Sequence, residues 1–201
     1  MKTIEQYGKL EVIFGPMFAG KTSALNSRLN LYHEMNLKII YINSKIDNRS
    51  QGYFSTHNKT LKEHTEFNYT KANSLQEIWT QLLEADVIGI DEGQFIKNLF
   101  NDVIELVETH NKIVIVCGLD TDYRRLPFGE ILDLTKMTDT IQKLRPFCKI
   151  CRDNGKIIKA IFTLKHTNNS QNDKQIESNI DVGGSEKYYP VCRQCYLKNY
   201  K

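Results

Sequence analysis

Residues 10–22 read LEVIFGPMFAGKT, and this stretch decides the fold. An apolar run leads into Gly15-Pro16-Met17-Phe18-Ala19-Gly20-Lys21-Thr22, which fits G-x-x-x-x-G-K-[ST] without a departure. The glycines let backbone N–H groups turn inward around phosphate oxygens, and a helix opening at Lys21 adds the positive end of its dipole. In such a loop Lys21 neutralises the β- and γ-phosphates and Thr22 offers its hydroxyl to Mg²⁺. A strand before the motif and a helix after it is the context the motif requires, so a nucleoside-triphosphate site is predicted here.

Outward from the loop, the runs LEVIFG (10–15), LKIIYI (37–42), DVIGID (86–91) and KIVIVCGL (112–119) are apolar, largely β-branched and not alternating. Strands buried on both faces read this way, as in a parallel sheet covered by helices. Helical patterns fall between them. Residues 22–36 place Leu25, Leu29 and Tyr32 on one side with Leu31 beside them, and 100–110 carry Val103, Ile104 and Val107. Residues 74–85 open with a Ser-x-x-Glu capping box, Ser74 to Glu77. Strands alternating with helices predict an α/β domain. Residues 43–73 are polar and long for a plain connection, suited to ordering around a ligand or to an extra hairpin.

Charge and composition exclude several classes. A hydrophobic fraction of 40% with 25% charged residues belongs to a folded globular chain. At roughly 150 residues per domain, 201 residues allow one domain plus a small appendage. A formal charge of +3, with basic residues scattered, gives no argument for nucleic acid. No run of about 18 apolar residues exists to span a membrane, and the polar MKTIEQYGKL has no signal-peptide apolar core. A cytoplasmic location is expected.

Four of the five cysteines form two C-x-x-C pairs, Cys148/Cys151 and Cys192/Cys195, which bracket a segment rich in Asn, Gln and Lys. Two such knuckles, with no histidine placed to join them, describe a closed tetrahedral structural Zn²⁺ site. His57, His64 and His166 read as polar loop residues, and Cys117 as a buried, inert strand residue. The change of character near residue 145 divides the chain into an α/β ATP-binding unit, 1–144, and a zinc-binding unit, 145–201.

Asp91-Glu92 closes the apolar strand VIGI, at the edge where ligands bind in open α/β folds. Asp91 is placed to hold Mg²⁺ through water. Glu92 would polarise water in an ATPase, or take the proton of an acceptor hydroxyl in a kinase. The residues alone leave both open.

The ordered set GPMFAGKT, KIDNRSQGYFSTHN, VIGIDEGQF, GLDTDYRRLPFGEILDL and YYPVCRQCY resembles the type II, zinc-containing thymidine kinase family, from about Gly8 to Tyr196. The resemblance implies a phosphate-loop (RecA-like) parallel sheet flanked by helices, plus a small zinc-ribbon or lasso domain. It implies transfer of the ATP γ-phosphate to the 5′-hydroxyl of thymidine, with Glu92 matching the catalytic base. Asp47 and Arg49 match a pair near the phosphate donor, and Asp91 and Gln94 belong to the Mg-ATP edge. Phe95, Leu119, Phe128 and Met17 match apolar positions around the base, Tyr123 an aromatic beside the substrate and Tyr188 a sugar-binding tyrosine. The lasso corresponds to 163–188, so Thr163, Asn179, Ile180, Asp181, Val182 and Gly183 are implied substrate contacts. Asn179 and Asp181 depart from the usual apolar character before the glycines. The zinc would tie the two ends of the lasso together, leaving the phosphate loop to work independently. A homotetramer and feedback by dTTP are implied as well.

Two other classes compete. A phosphate-loop ATPase with a nucleic-acid-binding zinc ribbon would need a basic surface around the ribbon, of which Arg145, Lys149, Arg152 and Lys156 give a weak version. A regulatory nucleotide-binding protein without turnover would not need the Asp91-Glu92 pair.

Overall fold

The computed structural model describes residues 7–46, 67–166 and 183–200. Six strands form one sheet: β1 (Lys9–Phe14), β2 (Ile39–Ser44), β3 (Asn68–Ala72), β4 (Val87–Ile90), β5 (Ile113–Gly118) and β6 (Thr140–Lys143). Their order is β3-β2-β4-β5-β1-β6 and every pairing is parallel. The helices are α1 (Lys21–His33), α2 (Trp79–Glu84), α3 (Leu99–Glu108) and α4 (Ile131–Leu134).

Successive side chains of a strand point to opposite faces, and here both faces are covered. Leu10, Val12, Val114, Val116, Ile88 and Ile90 pack with Leu99, Val103 and Leu106 of α3 and with Ile131 and Leu134 of α4. Ile13, Ile39, Tyr41, Val87, Ile113, Ile115 and Cys117 pack with Leu25 and Leu29 of α1. That is why the strand sequences do not alternate.

Several local expectations shift. Leu31 stands exposed instead of joining Leu25 and Leu29. Ile104 and Val107 are only partly buried, with Leu99 and Leu106 taking the deeper positions on α3. The 74–85 segment begins as a 3₁₀ turn, Leu75–Ile78, before α2. Ser74 Oγ accepts from the Gln76 N–H at 3.3 Å, and Glu77 reaches back to the Asn73 N–H at 3.3 Å. The cap is therefore displaced by one residue at each end from the predicted box, as the tighter turn requires. The described end of the polar stretch 43–73 is β3, parallel to β2.

Beyond β6, α5 (Lys149–Asp153) and α6 (Arg193–Asn199) flank an antiparallel pair, β7 (Phe162–Lys165) and β8 (Tyr188–Val191). Their core is small: Ala160, Leu164, Val191 and Tyr196 are buried together with Cys148, Cys151 and Cys192. No helix among the described residues is long and apolar enough to cross a membrane.

Candidate active site and metal centre

Because the sheet is parallel, the C-terminal ends of β1, β2, β4, β5 and β6 share one edge, and the site assembles there. The phosphate loop leaves β1 with Gly15 at φ 149, where an added Cβ would overlap the Leu144 carbonyl. Only glycine lets β1 and the end of β6 approach so closely. Gly20 (φ 83) caps α1, so Lys21 and Thr22 occupy its first turn. The Lys21 ammonium is mostly buried and donates to the Pro16 carbonyl at 3.0 Å.

Asp91, 1% exposed, lies opposite Thr22. Its Oδ2 accepts from the hydroxyls of Thr22 (2.8 Å) and Tyr41 (2.6 Å). Its Oδ1 accepts from the Cys117 thiol (2.9 Å) and the Glu92 N–H (2.9 Å). β5 lies between β1 and β4, which brings Cys117 beneath the carboxylate. Burial, reinforced by the Asp91 charge, pushes the Tyr41 phenol and the Cys117 thiol well above their ordinary pKa values. Both stay protonated as donors. From sequence, Cys117 reads as an inert core residue and Tyr41 carries no mark at all; both sit inside apolar runs, where nothing marks a polar partner on a distant strand.

Glu92 has φ 51 and ψ 40, a left-handed conformation that an L-residue with a side chain holds at some cost. Its Oε2 accepts from Gln94 Nε2 at 2.6 Å, and Gln94 Oε1 accepts from the Leu119 N–H at 3.0 Å. Gln94 thereby braces both the carboxylate and the end of β5. Gly129 (φ 62) packs against the Gln94 backbone where a Cβ would overlap it. Phe95 and Phe128 meet edge to face at 5.3 Å, and Tyr123 and Tyr188 lie 6.2 Å apart. The structure therefore gathers Asp91, Glu92, Gln94 and Leu119 into one chain of contacts, with the aromatic pairs formed separately. Asp47, Arg49, Asn179, Ile180, Asp181 and Val182 lie outside the described residues.

Thr163, expected beside the substrate, reaches the phosphate loop. Its buried hydroxyl accepts from the Met17 N–H at 3.1 Å. This ties the phosphate loop to β7. The bond joins residues 146 positions apart, a separation no local pattern reveals.

The four paired cysteines form a constellation that could hold a metal ion. Cys148 and Cys192 are the N-cap residues of α5 and α6, and Cys151 and Cys195 follow one turn later on the same helix faces. All four Sγ atoms lie within 4.8 Å of one another. Cys151 Sγ is 3.8 Å from Cys192 Sγ and 3.5 Å from Cys195 Sγ. Thiolates around a tetrahedral ion with bonds of about 2.3 Å stand about 3.8 Å apart, so the donor set fits such an ion. None of the five cysteines is in a disulfide.

The thymidine kinase family profile matches residues 8–196. The cytosolic thymidine kinase of Homo sapiens is 34% identical over 194 residues, covering 95% of this chain and 74% of that one. The thymidine kinase of Amsacta moorei entomopoxvirus is 35% identical, covering 95% and 99%. That of Variola virus (isolate Human/India/Ind3/1967) is 34% identical, covering 94% and 97%. Among solved structures, the flagellar accessory protein FlaH of Methanocaldococcus jannaschii overlays with a TM-score of 0.47 at 14% identity, covering 71% of this chain and 73% of that one. With a phosphate loop facing Asp91-Glu92, a four-cysteine cluster and a family match across nearly its whole length, this chain belongs to the thymidine kinase family.

Proposed function

We propose that this protein is an ATP-dependent thymidine kinase that transfers the γ-phosphate of ATP to the 5′-hydroxyl of thymidine, giving dTMP. Family membership supports the activity, and one arrangement supports the assignment of roles: Glu92, in strained backbone beside a fully hydrogen-bonded Asp91, with Gln94 holding its carboxylate. Backbone N–H groups at the end of the phosphate loop and the start of α1 cradle the phosphates, and Lys21 faces the charge that develops on the migrating group. Thr22 and Asp91 would hold Mg²⁺, which would neutralise charge on the phosphate oxygens. With both Asp91 oxygens engaged by protein donors, contact through water suits the site better than direct ligation.

Glu92 takes the proton of the 5′-hydroxyl as that oxygen attacks phosphorus. Phe95, Phe128, Tyr123 and Tyr188 supply flat apolar walls for a base and sugar, with Leu119, Thr163 and residues 179–183 completing the acceptor side. Asp47 and Arg49 belong beside the phosphate donor. The four cysteines hold a structural Zn²⁺, since four thiolates leave no open coordination position. A homotetramer, feedback by dTTP and work in the cytoplasm complete the reading, carried by the family resemblance. A nucleic-acid role is disfavoured because the family match across residues 8–196 is to thymidine kinases.

Incubation with Mg-ATP and each deoxynucleoside in turn tests the reading. Thymidine is expected to yield its 5′-monophosphate with one ADP per product. ATP hydrolysis without nucleoside phosphorylation, or hydrolysis stimulated by DNA, would overturn it.

A further inference from the structure

We infer that Arg125 and Tyr196 form a latch between the cysteine module and the loop carrying Tyr123 and Phe128, making Arg125 a positioning residue for the nucleoside. This rests on the kinase reading, which assigns those aromatics to the substrate. On the module side, Tyr196 is 0% exposed and sits one residue after Cys195, its N–H bonded to the Cys192 carbonyl at 2.9 Å. Its ring is therefore fixed by the same turn that holds two of the four thiols. Its hydroxyl leaves the module and donates to the Tyr123 carbonyl at 2.8 Å.

Two residues further along that loop, the Arg125 guanidinium lies 4.5 Å from the Tyr196 ring centroid and 5.5 Å from that of Phe162. Those two rings are themselves 5.1 Å apart. A guanidinium over aromatic faces at these distances is held by the ring quadrupoles. The loop is thus gripped at two points by one tyrosine.

The loop's own backbone argues that the arginine is kept for its side chain. Arg125 has φ 69, the left-handed region where glycine or asparagine is the unstrained choice. The turn closes through Arg125 N–H to the Asp122 carbonyl (3.0 Å) and Asp122 N–H to the Leu126 carbonyl (2.9 Å). The Asp122 carboxylate also accepts from the N–H groups of Arg124 (2.8 Å) and Leu126 (3.0 Å). None of these bonds needs a guanidinium at position 125. What the guanidinium adds is the grip on Tyr196, and with it the placement of Tyr123 against Tyr188 of the same module.

Three variants of the full, metal-loaded chain test this: Arg125→Gly, Arg125→Lys and Tyr196→Phe. Each is measured for KM of thymidine and of ATP separately, and for amide hydrogen exchange at Asp122, Arg125 and Leu126. Arg125→Gly relieves the strained φ, so a purely structural role predicts equal or better protection of the turn. The latch predicts faster exchange and a thymidine KM raised about two- to fivefold, with a smaller change for ATP. Arg125→Lys, which keeps the charge but not the planar fork, should recover part of the effect. Tyr196→Phe keeps the ring but loses the bond to Tyr123, and should raise the thymidine KM about fivefold. Unchanged exchange and unchanged thymidine KM in Arg125→Gly would overturn the latch. Faster exchange with an unchanged KM would overturn its role in positioning substrate. Wild-type protein unable to phosphorylate thymidine would instead sink the kinase reading, with exchange still reporting the latch.

Discussion

The sheet and the cysteine module are held together by different physics. The sheet buries two broad apolar layers, one against α3 and α4 and one against α1, with many members fully shielded from water. The module has Ala160, Leu164, Val191, Tyr196 and its cysteines, under strands of four residues each. A core that small rarely sustains a fold without a staple, and the clustered thiols supply the place for one. The sheet has a broad apolar core of its own, and the module has a small one with a place for an ion. On the proposed reading, chemistry belongs to the first and closure over the nucleoside to the second.

The sharpest test of that division is Glu92→Gln. The amide keeps shape but cannot accept a proton, so turnover should fall by about 10²–10⁴-fold. Thymidine and ATP should still bind, as equilibrium dialysis or calorimetry would show. Loss of nucleoside binding in this variant would mean that chemistry and closure are not separable.

Next comes the metal. Purified protein should carry one ion per chain, and chelation or Cys192→Ser should release the module while far-ultraviolet circular dichroism of the sheet persists. Reordering even two residues on binding, at about 1–2 kcal/mol each, weakens thymidine affinity more than tenfold. The effect on ATP should be smaller but present, because Thr163 reaches Met17. ATP affinity wholly indifferent to chelation would cut that link.

Thr163→Val isolates the same contact. It leaves the buried Met17 N–H without its acceptor, a loss of about 1–3 kcal/mol, and the KM for ATP should rise without loss of bound metal. The smallest effect is one of stability within the sheet half. Among the described residues, both amide atoms of the fully buried Asn26 lack a hydrogen-bond partner. Asn26→Leu should raise the thermal midpoint by about 2–4 °C if it recovers about 1 kcal/mol.

The four inner strands were legible because each is buried on two faces and so reads as an apolar run. The edge strands were not. NYTKA of β3 and TIQK of β6 pair on one side only and keep polar, exposed residues. β7 and β8 are too short, and β8 contains Pro190, so neither gives a strand pattern. At the site, the phosphate loop, Asp91-Glu92 and the cysteine pairs were visible because each is contiguous in sequence. The partners of Asp91 were not, since Tyr41 and Cys117 look like ordinary core until the sheet aligns them. The bonds from Thr163 to Met17 and from Tyr196 to Tyr123 likewise cross from one half of the chain to the other.

The position of β1 bears on how the protein is made. β1 is synthesised first, yet it pairs with β5 and β6, whose residues run from 113 to 118 and from 140 to 143. At about 5–20 residues per second, the phosphate loop waits many seconds on the ribosome before its strand has a neighbour. Its anchor on Thr163 and the last thiol at Cys195 emerge later still. Until β5 and β6 are made, a growing chain lacks the strand pairing that holds the phosphate loop in place. The apolar edges of β1 stay unpaired until residues 113–118 and then 140–143 have been made.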